Sequence, residues 1–288
     1  MKKIMENQTI LRSSRWFLVN IKARRNQVPQ HYVEIFKALR DMDPLIDLGR
    51  KRSISYKNMD FYANPNNAEV PFCIDTILTS YIIIDPDAFY DKERKEHISM
   101  MNWDANVVAN VHEMRTVFFP EKHILAVKCG ANVSLHHILK YYEDALQGIE
   151  PEGFDITTIK NHNIIQQIID AQSILSLEAN ISFSNHGHAE GFLNVFDEKI
   201  REMNPATAHM KFEGTKIHPL NNPEDGLANA ILSQSEANGD VIAKVIPQGE
   251  NKIVTFKTKE YPEKISVPST KRNNIFHILY DKIIQRLA

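Results

Sequence analysis

Trp16-Phe17-Leu18-Val19-Asn20-Ile21 is an almost unbroken run of aromatic and β-branched residues, which predicts a strand ending in the basic turn Lys22-Ala23-Arg24-Arg25. Pro29 then opens a helical period. Tyr32, Ile35, Phe36, Leu39 and Met42 recur at three- and four-residue spacing, so residues 29–42 read as an amphipathic helix stopped before Pro44. Arg50-Lys51-Arg52 leads into a hairpin expected through Ile54–Tyr62, and Ile74–Ile84 is the most hydrophobic strand candidate, stopped by Asp85-Pro86-Asp87. Residues 88–112 read as a charged stretch that becomes helix-like. Thr116–Phe119 and His123–Lys128 flank Pro120-Glu121-Lys122 as a second hairpin. Ser134 caps a helix that carries Leu135, Ile138, Leu139, Tyr142 and Leu146 up to Gly148.

Strands and helices alternate from there. The pattern predicts strands at Phe154–Ile159, Ile174–Phe183 and Ala206–Phe212, and helices at Ile164–Ala171, Ala189–Met203 and Glu224–Glu236. Asn238-Gly239 opens a meander of Val241–Ile246 and Ile253–Thr258, and a last helix over 272–287 aligns Ile275, Ile278, Leu279 and Ile283. This order predicts an α+β protein with mixed or antiparallel sheets covered by helices, with ferredoxin-like βαβ units as one arrangement for the C-terminal half. Gly148-Ile149-Glu150-Pro151-Glu152-Gly153 is the linker-type cluster, which suggests an N-terminal unit over 1–150 and a C-terminal unit over 151–288.

Charge changes this picture more than composition does. Residues 1–60 carry 13 Lys/Arg against 6 Asp/Glu, residues 61–250 carry 13 against 27, and residues 251–288 carry 8 against 3. Two basic ends therefore flank an acidic centre, a layout that suits one surface meeting a polyanion. Two cysteines, Cys73 and Cys129, supply no disulfide framework and fit a reducing cytosol. The apolar residues after Met1-Lys2-Lys3 are broken by Glu6, Asn7, Gln8, Arg12 and Arg15, unlike a signal peptide, and Tyr81-Ile82-Ile83-Ile84 is far too short to span a bilayer. A cytoplasmic protein without membrane contact is expected.

The candidate polyanion-binding residues are Arg12, Arg15, Lys22, Arg24, Arg25, Arg50, Lys51, Arg52 and Lys271, with Trp16 and Tyr56 near enough in sequence to stack on bases. A solvated basic rim around a sheet would have the same composition. His186-Gly187-His188 with Glu190 has two imidazoles spaced for one metal, yet no cysteine or second pair accompanies them, so no metal and no cofactor are expected. Asp85-Pro86-Asp87 with Glu93-Arg94-Lys95 falls in a charge run rather than on the apolar strand that a metal-dependent nuclease needs. Ten glycines include no phosphate-binding loop and no Gly-x-Ser-x-Gly elbow, which disfavours nucleotide hydrolases and α/β-hydrolases.

Arg272-Asn273-Asn274-Ile275-Phe276-His277 resembles the catalytic signature of HEPN ribonucleases. The resemblance implies Arg272 and His277 meeting across a dimer interface, the His moving a proton and the Arg stabilising a pentacoordinate phosphate of RNA. Arg25-Asn26 with His31 fits the same loose spacing, and HEPN domains are all-helical whereas this helix follows a β-meander. Taken whole, the chain resembles an uncharacterised bacterial family associated with mobile elements and phage defence. The features that carry this likeness are the Trp16–Arg25 strand and basic turn, the Thr116–Lys128 hairpin and the Asn238-Gly239-Asp240 meander ending Thr258–Pro262. Its late strand–turn–strand and final helix are also similar in layout to the DNA-binding phage exclusion protein RexA. These resemblances imply a nucleic-acid-binding component of phage defence, for DNA or RNA. The alternatives are a ribonuclease toxin using Arg272 and His277, and an interaction module whose acidic centre binds a neighbour-encoded protein. The apolar stripe of the last helix must dock on its own sheet or on a partner's, and a homodimer is one expected outcome.

Overall fold

β1 (Ser13–Ala23) alternates between two cores, and the rest of the larger sheet is arranged around it. A computed structural model describes residues 13–99, 104, 106–182, 207–223, 226–268 and 272–287. The helix expected at 189–203, the His186-Gly187-His188 segment, Arg12 and Lys271 lie outside the described residues. After β1 come α1 (Pro29–Met42), β2 (Ile46–Gly49), β3 (Arg52–Tyr62), β4 (Cys73–Ile82), β5 (Phe89–Asp91), β6 (Glu96–Ile98), β7 (Ala109–Phe119), β8 (Ile124–Lys128) and α2 (Leu135–Gln147). The chain continues through β9 (Phe154–Thr158), α3 (His162–Ile169), β10 (Ser173–Ser182), β11 (Thr207–Glu213), α4 (Leu227–Asn238), β12 (Gly239–Ile246), β13 (Val254–Lys257), β14 (Lys264–Pro268) and α5 (Arg272–Leu287).

The class is α+β, and every registered strand pair is antiparallel. The larger sheet has the order β14-β1-β8-β7-β4-β3-β2, with β9 also pairing β1. One edge of β1 pairs with β8. The other is shared end to end: β14 lies beside Ser13–Phe17 and β9 beside Val19–Ala23. Val19, Ile21 and Ala23 face a core completed by Tyr32, Phe36 and Leu39 of α1 and by Ile138, Tyr142 and Leu146 of α2. Trp16 and Leu18 face the opposite core, which Ile275, Phe276, Leu279 and Ile283 of α5 cover. The apolar stripe of the last helix is thus buried on its own sheet, where exposure would forfeit about 1.5–3 kcal/mol per large side chain.

A four-stranded sheet, β11-β10-β12-β13, packs Leu177, Ala179, Val241 and Ala243 against Ile165 and Ile168 of α3 and Ile231 and Leu232 of α4. The strand–helix–strand order expected here is realised without a parallel βαβ crossover, because β10 and β12, on either side of α4, pair antiparallel. α4 runs into β12 with no intervening loop. Gly239 makes that possible, since a Cβ there would sit 2.1 Å from the Asn180 carbonyl oxygen. Polar bonds join this sheet to β1 and its neighbours: Asn20 Nδ2 donates to Ala237 O (2.5 Å), Lys22 Nζ to Asn238 Oδ1 (3.0 Å) and Thr157 Oγ1 to Ala237 O (3.2 Å). Arg286 of α5 pairs with both Glu236 and Glu263.

Two local expectations are corrected. Residues 52–62 form one strand, not a hairpin, and the turn precedes it. Arg50 and Lys51, with φ of 54° and 61°, are the two-residue tip between β2 and β3, as a right-twisting hairpin requires. The stretch from 88 holds no helix among its described residues. The Asp91 carboxylate accepts from Glu93 N and Arg94 N and folds the charge run into the tip of the β5–β6 ribbon.

In the larger sheet the Asp75 carboxylate is fully buried and takes a two-pronged bond from Arg115, at 2.7 and 2.8 Å, while that guanidinium lies 5.2 Å from the Phe276 ring. Arg115→Ala removes the two-pronged donor from the buried carboxylate and should cost about 3–5 kcal/mol in urea denaturation. Arg115→Lys keeps the charge without the fork and should cost less. Equal losses for the two variants would show that the pairing geometry is unimportant.

Candidate nucleic-acid interface

Antiparallel pairing sets Phe17 of β1 opposite Lys264 of β14, and strand alternation brings Arg15 to the same face. The Lys264 ammonium lies 5.2 Å from the centre of the Phe17 ring. Lys128, at the end of β8, closes the other side of a groove of about 510 Å³ that Ser13, Ser14 and Cys129 also line. Arg15, Lys128 and Lys264 are exposed, and none takes part in an ion pair among the described residues. Burial pushes the Cys129 thiol up to about 11, so it remains a neutral wall of the groove. Arg15 and Lys264 beside the half-buried ring, with Lys128 at the groove's rim on the neighbouring strand, can hold phosphate oxygens through solvent-facing N–H donors.

The other residues expected to bind a polyanion are dispersed, and most have partners. Arg24 holds the Asp155 carboxylate at 3.1 Å through two nitrogens, Arg25 meets Glu152 at 3.0 Å and Lys51 meets Asp85 at 3.1 Å. Lys22 donates to Asn238, and Arg52 donates to Ser80 Oγ at 3.2 Å. Arg50 is exposed at its hairpin tip. Arg15 and Arg24 sit about 30 Å apart along the strand direction at ~3.3 Å per residue, and β3 lies four strands, or about 19 Å, across the sheet from β1. The structure therefore gathers only Arg15 of the described set into the groove.

Lys128 and Lys264 were not among the sequence candidates. The signal for Lys264 is the alternation Lys264-Ile265-Ser266-Val267, which marks a strand with one polar face. Trp16 cannot serve as a stacking platform, and Tyr56 stands on β3, four strands away from β1. Trp16 is fully buried with its indole N–H donating to Ser14 Oγ at 2.9 Å, and the Tyr56 hydroxyl donates to Arg40 O at 2.6 Å. His277 is exposed on α5 with its ring 4.8 Å from Phe72, and the Arg272 side chain lies outside the description. Among the described residues no group of three His, Cys, Asp or Glu is close enough to hold a metal, and no helix is long and apolar enough to cross a membrane.

Phe17 also forms part of the wall of a second hollow, about 560 Å³, between the first turn of α2, β9 and the segment 259–262. At its base Lys160, almost fully buried, meets Asp240 at 2.6 Å and donates to Thr158 Oγ1 at 2.7 Å. Burial lowers the Lys160 pKa from its ordinary value, and Asp240 opposes that shift.

The sequence pattern of DUF4747, a domain of unknown function, matches residues 12–284, which takes in every described strand and all but the end of the last helix. The chain belongs to the DUF4747 family. No curated protein matches it. In this DUF4747 chain the groove and the second hollow both lie within the matched span.

Beside Lys22, the His123 ring stacks on Tyr32 with 4.6 Å between centres, and burial first, then the Lys22 charge, lowers its pKa to about 4. The unfolded chain takes up this proton near pH 6.5 while the folded chain resists it. Stability should hold above pH 6.5 and fall as pH drops from 6.5 towards 4. His123→Gln should flatten that part of the stability profile measured by thermal melts; an unchanged slope would remove His123 as the cause.

Proposed function

We propose that the chain is a nucleic-acid-binding component of bacterial phage defence, with Arg15, Lys128 and Lys264 as its phosphate contacts. The observation that carries the binding role is the groove itself: among the described residues no carboxylate is bonded to its cations, whereas Arg24, Arg25 and Lys51 are already paired with acidic neighbours. A cation that must first break an ion pair gains less from a phosphate, so free cations dominate the affinity. The defence setting follows from the resemblance in strand and turn layout noted above. It is tested by plating phage on cells with and without the gene.

The groove is tested by fluorescence polarisation across a salt series. Replacing Arg15, Lys128 and Lys264 together by Ala removes three contacts and should flatten the plot of log K against log salt by about 2–3 units. Substituting Arg25 and Lys51, whose charges are already paired, should leave the slope nearly unchanged. Absence of binding to DNA and RNA at low salt would overturn the reading. A slope that responds to Arg25 and Lys51 but not to the groove would move the interface elsewhere.

A further inference from the structure

We infer that the groove and the second hollow form one path for single-stranded nucleic acid, with phosphates following the groove cations and one unstacked base entering the hollow beyond Phe17. This inference rests on the reading of the protein as a nucleic-acid binder. Phe17 lines both hollows and is the residue they share. The two differ in chemistry. The groove is cationic, while the hollow has an apolar side from Leu135, Leu139, Ile156 and Pro262 and a polar base from Thr158 and Lys160.

That division matches the two parts of a nucleotide. Its charged phosphate stays in the solvent-facing groove, and its flat base, apolar on its faces and polar at its edge, suits a cleft with apolar walls and a few fixed donors. Lys160 has three N–H donors. Thr158 Oγ1 accepts from one of them and the Asp240 carboxylate, 2.6 Å away, holds the ammonium in place, which leaves donor capacity for a carbonyl at the base edge. A volume of about 560 Å³ lies in the range of small-ligand sites. A duplex keeps its bases stacked and paired, so it can use only the groove cations. Single strands can use both hollows.

Polarisation with the full chain should compare labelled oligo-dT, oligo-U and a matched DNA duplex. Single strands should bind about tenfold more tightly than duplex, the size of effect that one seated base contributes. The dT and U arms separate DNA from RNA as the source of that base. Leu139→Trp fills the hollow and should abolish the single-strand preference while leaving duplex affinity unchanged. Because a bulky side chain beside the core could unfold the chain, photocrosslinking of 5-bromouracil strands to the unaltered protein supplies an independent readout. Crosslinks are expected within 135–139 or 156–160. Equal affinity for single strand and duplex, or crosslinks confined to the groove around Lys128 and Lys264, would overturn the base cleft and leave the nucleic-acid reading standing. No binding of any strand would overturn both.

Discussion

Burial of β1 on both faces is the constraint on which the rest of the structure depends. A strand covered on one side needs one layer of helix. A strand whose alternate residues all seek cover needs two, and here α1 and α2 supply one while α5 supplies the other. Both edges must also be paired, because an open edge inside a sandwich of helices would leave backbone donors unsatisfied. β8 satisfies one edge. The other needs two short strands from distant parts of the chain, β14 and β9, meeting near Leu18, whose carbonyl accepts from Ile159 N and whose N–H donates to Glu263 O.

This arrangement also places the candidate interface. β14 ends its pairing where β1 emerges from beneath the helices, so Arg15, Phe17 and Lys264 share a stretch of sheet that α2 leaves uncovered. β9 continues along the same edge and brings Thr158 and Lys160 to the other side of Phe17. The junction with the smaller sheet then locks the geometry through Asn20, Thr157 and Arg286, each bonded to the end of α4. Groove and hollow are both consequences of how one strand's two edges are filled.

Local chemistry was legible in the sequence where the signal and the structure are both local. α1 begins at Pro29 and ends at Met42, because Pro29 suits the first turn and Asp43, at a φ of 45°, caps the end just before Pro44. β4, α2, β10 and α5 follow from their apolar periods in the same way. β14 was missed, since its alternation is only five residues long and its place in the sheet is set by a partner strand some 250 residues earlier. Block charge misled for a related reason. Counting cations by segment cannot see that Arg24 and Arg25 are answered by Asp155 and Glu152 from the acidic centre, 131 and 127 residues away. The ribbon at β5–β6 was hidden because charged residues at such density resemble a solvated helix until the Asx-type turn at Asp91 folds them back.

Hydrogen exchange with and without nucleic acid maps the contact surface on the unaltered chain. The account predicts slowed exchange at 13–17, 128–136 and 259–266, with the hairpin tip at 50–52 unchanged. Protection centred on 50–52 and 24–25, with none along β1 and β14, would contradict it.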